Sequence, residues 1–66
     1  MKVNVFNSKM ALFGDTGITT ARYLNISVQS FSKKKNGDVP FTTNEIKQLK
    51  KRWSLTNDEV IDIFFN

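Results

Sequence analysis

The 66-residue chain contains no cysteine and no histidine, a single proline and only three glycines. Without cysteine there is no disulfide framework and no thiolate nucleophile. Without either residue there is no zinc-binding set and no near-neutral imidazole base. The carboxylates are scattered, and no base or metal site assembles from them. The expectation is a protein that is not an enzyme and needs neither a cofactor nor a small-molecule substrate. The lack of cysteine fits a reducing compartment. No apolar run approaches the roughly 18 residues that cross a bilayer, and Met1-Lys2-Val3-Asn4 is not followed by the apolar stretch of a signal peptide. A soluble chain inside the cell, with no membrane partner, is expected. Sixty-six residues allow one domain, whose core is marginal unless it is well packed or supported by association.

Charge is unevenly placed. Ten Lys/Arg against six Asp/Glu give a net +4. Seven of those ten bases lie between Lys33 and Arg52, whereas Asp58, Glu59 and Asp62 crowd the end of the chain. A basic middle predicts a polyanionic partner for one face, and an acidic tail a different role for the end. Lysines that merely keep a small domain soluble would give the same total.

Glycine and proline punctuate the chain only at Gly14, Gly17, Gly37 and Pro40, and no segment alternates as a half-buried strand does. The pattern is helical throughout. Val3, Phe6, Met10 and Phe13 recur at steps of three and four, predicting a first helix with one core-facing stripe that ends at Gly14. Three later starts share a signature, in which an apolar residue precedes a Ser/Thr cap and another follows four positions after it. These are Ile26-Ser27 with Phe31, Phe41-Thr42 with Ile46, and Leu55-Thr56 with Val60, where Glu45 and Glu59 complete capping boxes in the last two. They predict helix 3 over Val28 to Lys35, helix 4 over Thr43 to Trp53 on the stripe Ile46, Leu49, Trp53, and helix 5 from Asn57 to about Phe65. Helix 2, capped by Thr16 and packed through Ala21 and Leu24, begins with the weak helix formers Gly17, Thr19 and Thr20, so a loose first turn is expected. Asn25-Ile26-Ser27 alone separates helices 2 and 3, which forces a sharply bent pair.

The ordered set Thr16, Ala21, Leu24, Asn25, Ile26, Ser27, followed by Gln29, Ser30, Phe31, Ser32 and closed by Asn36-Gly37, resembles the helix-turn-helix of the phage repressor and Cro-type DNA-binding domains (the lambda repressor-like, XRE-type family). With helix 1 before it and helices 4 and 5 after it, the resemblance spans essentially the whole chain. It implies an all-α, five-helix lambda repressor-like domain over 1–66, its helix-turn-helix formed by helices 2 and 3 at about 16–37. Three places depart from the family pattern. Gly17 stands where a phosphate-contacting glutamine is usual, and Thr20 where leucine is usual, so the core beneath helix 2 should be thinner. Lys34 and Lys35 both occupy a place where one apolar residue is common. Either their stems lie along the surface or helix 3 ends early.

The resemblance implies that helix 3 enters the major groove of double-stranded operator DNA, pinned by Phe31, with its early residues at the base edges. Val28, Gln29, Ser32 and Lys33 are the candidate base-contacting residues. The amide of Gln29 suits an adenine, and Val28 a thymine methyl. Thr16, Ser27, Ser30, Lys34, Lys35 and Asn36 are the candidate phosphate contacts. Arg22 and the Lys47, Lys50, Lys51, Arg52 cluster are further candidates, although the spacing of the cluster equally describes the solvated face of helix 4. Helix 5 is apolar around nearly its full circumference. Its Ile61, Phe64 and Phe65 are the expected homodimer interface of a protein that reads two half-sites, unless helix 5 is buried whole in its own monomer. The functional expectation is a sequence-specific transcriptional regulator like the repressors of phages and prophages, acting in the cytoplasm of a bacterial host. A chain with room for little beyond the DNA-binding unit points to a Cro-like role or to a repressor fragment. The alternative is a protein-interaction module, an antirepressor or adaptor, on the same scaffold.

Overall fold

The computed structural model describes residues 1–65. Five helices follow in chain order: α1 Val3–Phe13, α2 Gly17–Leu24, α3 Val28–Lys35, α4 Thr43–Arg52 and α5 Asn57–Phe64. The described residues contain no strand, and none of their helices is long and apolar enough to cross a membrane.

The caps form where the sequence places them. Ser27 Oγ accepts the Ser30 amide at 3.0 Å, while Thr42 and Thr56 exchange reciprocal bonds with Glu45 and Glu59. Each satisfies orphan donors of a first helical turn. Thr42→Ala removes one such bond and is expected to lower stability by about 1 kcal/mol in urea denaturation. Glycine and asparagine end the first two helices in left-handed conformations, Gly14 at φ 91° and Asn25 at φ 60°.

The expected loose start of α2 is not what forms. Thr16 and Thr19 make a third reciprocal box, and the Thr19 hydroxyl donates to Asp15 Oδ1 at 2.9 Å. Two threonines substitute for the missing Ser/Glu pair, so low intrinsic propensity is overridden by side-chain bonds to the turn. Thr20 is fully buried, and its hydroxyl donates to the Thr16 carbonyl oxygen at 2.8 Å. The polar atom that replaces an apolar one is thereby satisfied within its own helix.

Phe6 of α1 sits at the centre of the core, fully buried, with ring centroids of Trp53 at 5.1 Å, Phe41 at 5.5 Å, Phe64 at 5.9 Å and Phe31 at 6.0 Å. Most of these pairs are tilted or edge-on, the arrangement ring quadrupoles favour. Leu24, Leu49, Leu55 and Ile63 close the cluster. Two expected core stripes need correction. Phe13 is 49% exposed, at the last position of α1 and outside the core cluster. On α4, Glu45 is buried with Leu49 whereas Ile46 is only half-buried. The helical stripe is rotated toward the carboxylate because that carboxylate finds partners inside.

The acidic tail also acquires a role. Lys2 pairs with Asp62 at 2.7 Å, Lys9 pairs with Glu59, and the Lys2 amide donates to the Ile63 carbonyl oxygen at 2.9 Å. Two of the clustered acids thus hold the first helix to the last, which leaves the basic residues of α3 unopposed by them.

Candidate nucleic-acid interface

The eight residues of α3 divide cleanly by side. Phe31 is buried, while Ser30, Lys34 and Lys35 are partly covered. Val28, Gln29, Ser32 and Lys33 are exposed, as is Asn36 just past the helix. At about 100° per residue, positions spaced by one, four and five share a face, so these five form one continuous outer strip. It carries an amide, a hydroxyl, an ammonium and a second amide, with Val28 as the apolar member. This is a set of groups able to donate to and accept from base edges and to touch a methyl.

The candidate base contacts therefore share one surface, and the candidate phosphate contacts do not. Asn36 is exposed at the end of the strip and Lys35 half-exposed beside it. The Thr16 and Ser27 hydroxyls are engaged as caps, and Ser27 Oγ lies 3.0 Å from Ser30 Oγ. Lys34 points away from the strip. Its Nζ lies 2.6 Å from Glu45 Oε1, and the two side chains are 13% and 10% exposed. The helix does not end early, nor does this lysine stem lie on the surface; it makes an ion pair directed inward. Burial pushes the Glu45 carboxyl up, but the Lys34 ammonium and the Thr42 backbone amide outweigh it, and the group sits below its ordinary range.

Arg52 belongs to the structure and not to the solvated face of α4. Its Nε and Nη2 donate to the two oxygens of Asp15 at 2.7 and 2.9 Å. Its guanidinium lies 4.8 Å from the Phe13 ring centroid and 4.4 Å from that of Tyr23. Phe13, exposed as a core residue, is thus one plate of a cation–π stack. Trp53 Nε1 also donates to Asp15 Oδ2, at 2.8 Å. The Arg52 guanidinium, helped by Trp53 and Thr19 against the cost of burial, holds the Asp15 carboxyl far below the usual carboxylate range. Lys50 bonds Asn57 at 2.6 Å, whereas Lys47, Lys51 and Arg22 are exposed.

Asp15 and Glu45 are the important residues that the sequence reading passed over. Asp15 is the sole acid before Asp38 and sits beside a helix cap in a chain whose one tryptophan needs a hydrogen-bond acceptor. That coincidence was a usable signal. For Glu45 the sequence shows only the capping box with Thr42.

On α5, Ile61 and Phe65 are 57% and 68% exposed, so the helix is not buried whole in its own chain. Phe64 is half-buried, packed on Phe6 and on Phe41, the latter at 5.6 Å. Phe64 and Phe65 border a groove of about 380 Å³ that Val39, Pro40, Phe41 and Ile46 also line. Among the described residues no group of three or more His, Cys, Asp or Glu is placed to hold a metal ion. No protein-family model, curated protein or solved structure matches the chain.

Proposed function

We propose that this chain is a sequence-specific, double-stranded DNA-binding transcriptional regulator of the Cro/repressor type, with a lambda repressor-like arrangement in which α2 and α3 form the helix-turn-helix. In this reading it acts on an operator in the cytoplasm of a bacterial cell, as a phage or prophage repressor does. The observation that carries the reading is the outer strip of α3. Val28, Gln29, Ser32, Lys33 and Asn36 lie on one exposed face of a helix whose opposite side is pinned by the buried Phe31. A helix so mounted fits the major groove, where bases present distinct donor and acceptor patterns.

Gln29 reads an adenine, Val28 a thymine methyl, and Ser32 and Lys33 the next bases. Lys35, Asn36, Ser30 and the capping residues Thr16 and Ser27 sit against the phosphates. Ile61 and Phe65, with the groove beside Phe64, meet a second copy, which gives the two-fold symmetry that paired half-sites require. No catalytic step, cofactor or small-molecule substrate enters this function.

The test is binding to a random-sequence duplex at rising salt. With Lys33, Lys35 and Arg22 each displacing a counterion, the slope of log K against log salt is expected to be about −2.7 per protomer, or about a 40-fold loss of affinity between 50 and 200 mM. A slope near zero sinks the reading. It would favour the second one, a protein-interaction module, which draws on large apolar side chains left open on α1 and α2: Leu12 at 81% and Ile18 at 57% exposure.

A further inference from the structure

We propose that Lys34 is a positioning residue for DNA recognition: through its ion pair with buried Glu45 it sets the angle at which α3 presents its outer strip, and it does not itself meet a phosphate. The inference rests on the DNA-binding reading above and assigns to the middle lysine of Lys33-Lys34-Lys35 a role opposite to that of its neighbours.

Lys34 lies three residues after Phe31, on the inner side of α3, and its ammonium reaches Glu45 Oε1 at 2.6 Å. The same carboxylate oxygen accepts the Thr42 amide at 2.9 Å, closing the capping box of α4. One carboxylate therefore ties the last turn of α3 to the first turn of α4. Phe31 is the one buried residue of α3, and α2 packs beside it across the short turn. The Lys34–Glu45 pair adds an attachment to α4, about 4.5 Å further along the axis, that restrains the tilt of the last turn. The geometry makes this matter, because an eight-residue helix is about 12 Å long and a tilt of about 10° about its middle moves either end by about 1 Å. Recognition groups need placement within roughly 0.5 Å and 10–20°. The pair is also neutral as a unit, so it adds little to the field that attracts a polyanion, while the exposed Lys33 keeps its charge available.

The test compares four proteins on a duplex selected from a random library, by fluorescence anisotropy from 50 to 300 mM salt, each variant first checked for folding by circular dichroism. They are wild type, Lys34→Met, Lys34→Met with Glu45→Gln, and Lys35→Met. Methionine keeps the apolar stem of lysine, and glutamine keeps the capping box. The double variant has the net charge of the wild type, +4. Lys34→Met is expected to bind about 10-fold more weakly with an unchanged salt slope, and the double variant, which strands no charge but also has no pair, stays about 10-fold weaker than wild type, again with an unchanged slope. Lys35→Met loses about 0.9 of slope, the signature of one phosphate contact.

A slope reduced by about 0.9 in both Lys34 variants would make Lys34 a phosphate contact and overturn the proposal. Unchanged affinity in a folded Lys34→Met would overturn it too, leaving the pair as a stability element. If Lys34→Met fails to fold, the double variant decides: a wild-type slope with about 10-fold lower affinity supports positioning, and either wild-type affinity or a reduced slope refutes it. A wild type with no slope at all marks the separate failure of the DNA-binding reading, and the proposal falls with it.

Discussion

Asp15→Ala is expected to destabilise the domain by about 3 kcal/mol, the cost of breaking a buried ion pair and stranding its partners. The carboxylate is 8% exposed and accepts four hydrogen bonds, two from Arg52, one from Trp53 and one from Thr19. Removing it leaves the Trp53 indole N–H, at a residue 7% exposed, facing the core with no acceptor. It also frees Arg52 from the stack between Phe13 and Tyr23 and unfastens the start of α2. In a domain this small, a loss of about 3 kcal/mol corresponds to a fall in Tm of about 12–24 °C. It also approaches the lower end of the stability expected for 66 residues, about 3–10 kcal/mol. Thermal denaturation of the purified variant checks this, and a loss below about 1 kcal/mol would mean that the network is a surface ion pair of ordinary worth.

The same group sets an acid limb. Because its folded pKa is depressed, the stabilisation from Asp15 is fully present above the unfolded value of about 3.9 and drains away as pH falls below it. Wild type should therefore lose stability steeply below about pH 4, and Asp15→Asn should show a shallower fall over the same range.

Gln29→Ala is expected to leave folding untouched and to cut discrimination at one or two base pairs by roughly 5- to 150-fold, the 1–3 kcal/mol of a bidentate amide–adenine contact. The side chain is exposed on the outer strip, one residue from the start of α3, where a helix lying in the major groove brings its early residues to the base edges. Lys35→Ala should instead weaken all duplexes alike. Competition between a selected duplex and a random one separates the two outcomes. If both variants lose affinity uniformly, the division between residues that read bases and residues that hold the backbone is wrong.

The helix starts were legible because caps are local. Ser27, Thr42 and Thr56 each act on an amide three residues away, and no distant partner is needed to recognise them. Phe31 as the inner anchor of α3 was legible for the same reason, since its staple partner Ile26 lies five residues before it. What the sequence hid depends on long-range pairing. Asp15 meets Arg52 and Trp53 across 37 and 38 residues, and Lys34 meets Glu45 across 11. Arg52 looks like a phosphate contact or part of a solvated face, and Lys34 like a phosphate contact or a surface stem, because a charged residue looks solvated until its partner is known. Periodicity assigns Phe13 to the core because an apolar residue on the stripe looks buried until the helix end is placed. Thr20 shows the converse, a polar residue that is buried because its hydroxyl bonds the preceding turn.

The measurement that tests the central claim most directly is selection of binding sites from a random duplex library at about 150 mM salt, a concentration at which sequence-blind attraction is weak, with wild type and Gln29→Ala in parallel. The expected result is a palindromic motif of two half-sites, with one or two positions in each that blur in the variant. Enrichment of no motif by the folded wild type would contradict the account, leaving α3 with no sequence to read.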